Sequence, residues 1–249
     1  MIVGLPLLIL VVAVGGVWLR MILLVLSVLG LNEFYRAFSG AKILPVHIVG
    51  YLFVLIYFLA IDMYLIVFAA FILTIIFVVV IFYQKFDVKE CIVTIGGFFY
   101  VPFLLSFIYF VRSENISFVW LIFTSASASD TFAYLIGKKW GKHKMTNTAS
   151  PGKSWEGCIA GVVGAAIIGY IYAMVAVNMN FEINAFNAVV ISVVGAIFSQ
   201  FGDLFASTIK RSVGIKDFGK VLPGHGGILD RFDGIMVSAA MVYMVMILL

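Results

Sequence analysis

The sequence predicts an all-α, polytopic integral membrane protein with about nine transmembrane helices, and three observations carry that prediction. Hydrophobic residues fill 64% of the 249 positions and charged residues only 11%, whereas a soluble domain carries about 25% charged and 45–50% apolar residues. Mean hydropathy is +1.18. Apolar runs of about 20 residues, the length a helix needs to cross a bilayer, recur along most of the chain.

Taken in order, the runs place spans at 3–15, 17–35, 43–60, 62–83, 91–111, 116–137, 155–177, 184–206 and 232–249. The opening stretch "MIVGLPLLILVVAVGG" has no basic leading region and no small-residue cleavage site, so it reads as a retained span. At Gly15-Gly16 the pattern fits either two short helices or one longer, tilted helix. No internal repeat or low-complexity tract is visible, and residues 1–249 read as a single membrane domain. Only two connections, 138–154 and 207–231, are long enough to build a site.

Basic residues orient the chain. Arg36 and Lys42, Lys85 and Lys89, the five lysines from Lys138 to Lys153, and Lys210, Arg211, Lys216, Lys220 and Arg231 all follow even-numbered spans. Only Arg20 and Arg112 fall on the other side. Lys and Arg accumulate in cytoplasmic loops, so both long connections are expected in the cytoplasm. The same rule accounts for the net charge of +4. With no basic run or recognised motif, nucleic-acid binding is excluded as a partner class. Cys91 and Cys158 lack CxxC spacing and a nearby His, which argues against a disulfide framework or thiolate metal site and for small packing residues.

Polar residues interrupt the apolar pattern in four places. In the eighth span, Gln200, Asp203 and Ser207 are spaced by three and four and share one helix face, with Lys210 continuing it. An ionisable residue inside a membrane helix is a functional-site candidate. At the start of the ninth span, Asp230 and Asp233 lie three apart with Arg231 beside them. Interfacial anchoring calls for Lys, Arg, Trp or Tyr, so two carboxylates suit it poorly. Asp203, Asp230 and Asp233 together supply oxygen donors of the kind a hard divalent cation such as Mg²⁺ takes alongside phosphates.

Between these helices runs a loop with five glycines, among them Gly226 and Gly227, and with Lys210, Arg211, Lys216 and Lys220. Glycine lets backbone N–H groups approach an anion while Lys and Arg neutralise it. His225 is too isolated from other imidazoles for a zinc site and reads as a base, a phosphate donor or a turn residue. His47 and His143 show no partner. The fourth place is the end of the sixth span, where Ser125, Ser127 and Ser129 precede Asp130, followed by "SPGKSWEG". Gly-Lys-Ser there is not a P-loop, because Asn147 stands where that motif needs glycine. Ser154 reads as a helix start with Glu156 in the first turn, and Lys153 beside it is placed to hold a phosphate.

From Ser207 to Asp233 the chain reads S-x-I-K-R-x4-K-D-x-G-x2-L-P-x-H-G-G-I-x-D-R-F-D. This resembles the signature of phosphatidate cytidylyltransferases, the integral-membrane CDP-diacylglycerol synthases. The sixth-span motif and "SPGKSWEG" resemble family segments too, with Phe132 where a small residue is common and Gly152 where a second Lys often stands. The likeness is strong over roughly 125–235 and extends to "LNEFYRAF" in the second span.

The resemblance implies the reaction of CTP with phosphatidic acid to give CDP-diacylglycerol and pyrophosphate, dependent on Mg²⁺, with a second cation left open. It implies Asp203 and Asp230 as metal ligands with Asp233 assisting. Lys210, Arg211 and Lys216 would neutralise the triphosphate, Arg231 would bind a phosphate oxygen, and His225 with Gly226-Gly227 would cradle phosphate. Asp217 would orient Lys216 or contact the nucleotide, and Asp130, Lys153, Glu156 and Ser207 would bind substrate. Its partners would be CTP, phosphatidic acid and the bilayer of an inner or plasma membrane, with the site on the cytoplasmic side and a homodimer left open. The alternatives are a CTP-dependent polyprenol or dolichol kinase, a CDP-archaeol-type synthase and, more remotely, a cation transporter.

Overall fold

A computed structural model describes residues 4–61, 87–146, 150–179, 181, 183–220 and 226–249. Eight helices run through them: α1 (Gly4–Val14), α2 (Gly16–Gly40), α3 (His47–Leu59), α4 (Val88–Glu114), α5 (Ile116–Trp140), α6 (Trp155–Asn178), α7 (Ala185–Ser212) and α8 (Leu229–Leu248). Among the described residues there is no β-strand, only an isolated bridge between Lys144 and Ser154. Six helices, α2 and α4 to α8, are long and apolar enough to cross a membrane.

Six of the expected nine spans are thus matched among the described residues, and the run at 43–60 holds the shorter apolar helix α3. The run at 62–83 lies outside the described residues. At its N-terminal end, α1 runs through the described residues to Val14. Gly15 and Gly16 take φ of 69° and 56°, a left-handed backbone that glycine tolerates and a helix cannot continue through. Of the two readings of that junction, two separate helices is the one the chain adopts.

Local sequence explains the helix starts. Asp87 opens α4 with a capping box, its carboxylate accepting from Lys89 N while Glu90 reaches back to Asp87 N. Asn115, Ser154 and Asn184 accept from the backbone N–H groups of Ser117, Gly157 and Phe186 to open α5, α6 and α7. Helix α8 is different: Ile228 precedes it and offers no cap. Helix α4 holds a π-turn at Phe99–Phe103 around Pro102, where the missing proline N–H disturbs the regular ladder.

Two packing styles divide the bundle. Helices α2, α3 and α4 join through aromatic side chains, including Phe34, Tyr35, Tyr57 and Phe98. Tyr35 also donates to Thr94 O, and the Tyr57 and Ser106 hydroxyls share a hydrogen bond of 2.8 Å. Helices α5 to α8 join through small residues. A Cβ at Gly195 would come within 2.6 Å of Ser125 Oγ, one at Gly234 within 2.6 Å of Ser199 Oγ, and one at Gly161 within 2.8 Å of Ser129 O. Such contacts bring membrane helices close enough for van der Waals and polar groups to hold them. The outer face of α6, with Ile159, Val163, Ile167, Tyr170 and Met174 exposed, is the surface a bilayer would cover.

Charge is sorted along the bundle. The basic residues assigned to one side cluster where α2, α5 and α7 end and α4, α6 and α8 begin, apart from Lys85, which lies outside the described residues. Arg20 and Arg112 sit at the opposite end. Arg20 donates to Tyr109 Oη at 2.7 Å, and Arg112 donates to Val12 O and Ala13 O at 2.7 and 2.8 Å. A cation is favourable on those last carbonyls of α1.

Candidate active site

Two neighbouring structures occupy the basic end. The first is the loop from Val213 to Ile228 with the start of α8. The last turn of α7 brings Lys210 Nζ to within 2.8 Å of Asp230 Oδ1 in the first turn of α8. Asp230 Oδ2 accepts from the backbone N–H groups of Phe218 at 2.8 Å and Gly227 at 3.0 Å. The carboxylate thus ties Phe218 to Gly227. Gly226, at φ 81°, makes the turn into this contact. Lys210 lies over the Phe218 ring, 5.4 Å from its centroid.

The second is a cavity of about 650 Å³ between α5, α6 and the connection joining them. Asp130, Tyr134, Lys138, Lys144, Lys153, Ser154 and Gln200 line it. Lys153 reaches across to pair with Asp203 on α7, so the cavity opens onto the face of α7 that carries Gln200 and Asp203. Gln200 is itself fixed, donating to Ser129 Oγ at 2.8 Å and Cys158 O at 3.1 Å. The connecting strip is pinned by Met145 N to Lys153 O and Trp155 N to His143 O, both 3.0 Å. Glu156 accepts from His143 N and lies 2.6 Å from its Nδ1.

The sites inferred from sequence divide accordingly. Asp130 and Lys153 line the cavity, and Asp203 pairs with Lys153. Lys210, Gly226, Gly227 and Asp230 come together at the loop. Asp233 is buried behind them with Oδ1 accepting from Gly234 N at 2.8 Å. Arg211 donates to Ile215 O, and Lys216, Asp217 and Arg231 are exposed. Ser207 is half-buried one turn beyond Asp203. His225 lies outside the described residues. Glu156 clasps His143 instead of lining the cavity, so His143, which shows no partner in sequence, has one. The small residues behave as packing groups: Ser125 and Ser129 press against Gly195 and Gly161, while Cys158 also borders the cavity. Phe132 is accommodated because a Cβ at Gly164 would occupy the space of its ring.

Two residues here were not singled out from sequence as site residues. Glu33, buried in α2, accepts from Ile228 N at 3.0 Å and Leu229 N at 2.8 Å and supplies the cap that α8 lacks. Its signals were a lone acid inside an apolar run and a place in the family-like stretch "LNEFYRAF". Tyr100, in the π-turn of α4, is buried with no hydrogen-bond partner for its hydroxyl among the described residues. Its ring sits between Phe34 and Phe205.

Among the described residues, no three His, Cys, Asp or Glu side chains converge to enclose a metal by themselves. The donor set nonetheless suits a hard cation completed by phosphate oxygens. An ionised carboxylate offers about four lone-pair sites. Asp230 spends three on Lys210, Phe218 and Gly227, leaving one on Oδ1.

Comparison with known proteins bears on the whole chain. A family model described as the cytidylyltransferase family matches residues 1–249. The chain belongs to the cytidylyltransferase family. Its similar relatives include the phosphatidate cytidylyltransferases of Staphylococcus aureus, 39% identical over 150 residues, and of Staphylococcus saprophyticus, 36% identical over 150 residues. Each of these alignments covers 60% of this chain and 55% of the relative. The phosphatidate cytidylyltransferase of Thermotoga maritima is 38% identical over 167 residues, 64% of this chain and 62% of the relative. The chain thus matches little more than half the length of these family members.

Proposed function

We propose that the protein is a phosphatidate cytidylyltransferase, converting CTP and phosphatidic acid to CDP-diacylglycerol and pyrophosphate at the cytoplasmic face of the membrane. The observation that carries this reading is the polar cavity opening onto the Lys153–Asp203 pair, beside the Lys210–Asp230 clasp, at the positively charged end of a membrane bundle. Phosphatidate lies in a leaflet and CTP in the cytosol, so a site at that boundary is where they can meet. The excess of Lys and Arg at this end supports a cytoplasmic orientation.

The lipid phosphate is already anionic at neutral pH. One of its oxygens attacks the α-phosphorus of CTP, and the bond from that phosphorus to the bridging oxygen breaks, releasing pyrophosphate. No strong base is needed; the obstacle is repulsion between two anions. Catalysis therefore reduces to positioning and charge neutralisation. In this reading the nucleotide fills the cavity, with Lys138, Lys144 and Lys153 facing its phosphates. Lys210 and Arg211 neutralise the pyrophosphate, Arg231 binds a phosphate oxygen bidentately, and Gly226 lets the loop approach. Mg²⁺, held by Asp203 and the remaining lone pair of Asp230 with Asp233 behind, would polarise the phosphoryl oxygens.

The test is purified protein in detergent with labelled CTP and, in separate assays, phosphatidate or a polyprenol. Stoichiometric pyrophosphate and a cytidylylated lipid are the expected products. Release of CDP without pyrophosphate would instead mark a CTP-dependent lipid kinase, and no turnover with either lipid class would overturn the reading.

A further inference from the structure

We propose that Glu33 is a positioning residue for this reaction, setting the place of Asp230 through the backbone at the start of α8. The inference rests on the cytidylyl-transfer reading above. Both oxygens of the Glu33 carboxylate are committed, Oε1 to Ile228 N at 3.0 Å and Oε2 to Leu229 N at 2.8 Å, across 195 and 196 residues of sequence. These are orphan N–H groups of a helix whose own N-cap, Ile228, has nothing to offer them. The negative charge also suits the positive end of the helix dipole.

The loop is shaped around this side chain. A Cβ at Gly219 or at Gly227 would collide with the Glu33 carboxylate. Asp230 takes the N–H of Gly227 and of Phe218, the residue before Gly219, and neither glycine has positive φ. At these positions glycine is therefore needed for clearance, not for backbone conformation. The contacts form a relay. Glu33 fixes residues 228 and 229, the next residue is Asp230, and its carboxylate takes Gly227 N, Phe218 N and Lys210 Nζ. Burying a carboxylate in a membrane helix is costly, and simple apolar packing would hold two helices together without it. What the carboxylate adds is a fixed register and rotation for α8. The same contact has a second effect: with Glu33 on the α8 N-terminus, substrate phosphates are directed to the lysine side of the site.

Glu33→Gln keeps the shape but leaves an amide NH₂ facing a backbone N–H. The expected result is a fall in kcat of roughly 10²-fold, with KM for CTP within about threefold, because the cavity lies on α5 and α6. Hydrogen–deuterium exchange of the detergent-solubilised protein should quicken in peptides covering 213–230 and stay unchanged in α5 and α6. Gly219→Ala should reproduce both effects, and the double variant should be no worse than the poorer single one. Glu33→Asp, reaching only one N–H, should lie between wild type and Glu33→Gln, and it takes over the test if Glu33→Gln does not fold. Wild-type turnover in Glu33→Gln, exchange quickened equally across the bundle, or fully additive losses would overturn the proposal. Absence of pyrophosphate release by the wild-type protein would overturn the reading beneath it, while the exchange measurement would still decide the relay.

Discussion

The aromatic half of the bundle, α2 to α4, and the small-residue half, α5 to α8, solve the same packing problem in opposite ways. In the first, rings of Phe34, Tyr35, Tyr57 and Phe98 fill the space between helix axes. In the second, Gly161, Gly195, Gly202 and Gly234 remove that space so that backbones nearly touch. Close backbones matter for chemistry because they let short side chains from different helices meet. Gln200 reaches Ser129 and Cys158, and Asp203 meets Lys153, only because α5, α6 and α7 approach so closely. Among the described residues the aromatic half holds no comparable polar cluster, and its principal polar contribution to the site is a single carboxylate, that of Glu33.

Substitutions in the two halves should differ in kind. The largest effect belongs to Asp203→Asn, expected to reduce pyrophosphate release by 10²–10³-fold or more with unfolding in detergent nearly unchanged; normal turnover would remove Asp203 from the site. Next is Gly195→Val, which forces bulk between Ser125 and Ser238 and should cost about 1–3 kcal/mol of stability. A neutral result in a denaturation series would mean that the small-residue contacts do not hold the helices. Tyr57→Phe removes one buried hydroxyl bond to Ser106 in the aromatic half and should cost about 1 kcal/mol without altering kcat. A loss of turnover beyond the loss of folded protein would erase the distinction between the halves. The smallest is Arg20→Met at the far end, where losing the Tyr109 contact should cost about 0.5–1 kcal/mol and leave both kcat and KM alone.

Much of this was legible in the sequence for simple reasons. Membrane helices announce themselves by hydropathy, and α2 and α4 to α8 lie where the apolar runs put them. Polar residues in or beside such runs stand out, as Asp130, Lys153, Asp203 and Asp230 do, and the fold places all four at one end. The junction at Gly15 and Gly16 was less legible, because hydropathy does not see the positive φ there that ends α1 at Val14. Partnerships were least legible. Nothing in local pattern joins Glu33 to Leu229 or His143 to Glu156. Likewise, the glycines of the signature loop suggested a phosphate cradle, yet Gly227 N is held by Asp230 and Gly219 gives clearance to Glu33. Tertiary clearance and conformational freedom leave the same letter in a sequence.

The contact between Phe132 and Gly164 carries a consequence for how this site can vary. The ring on α5 occupies the volume where any side chain on the facing turn of α6 would begin. One large and one absent side chain make a matched pair, and a small residue at 132 would free room for alanine or serine at 164. The two positions should therefore change together among relatives, as a compensated exchange of volume across the wall behind Asp130, and the single change Gly164→Ala should be tolerated only when Phe132 has first been made small.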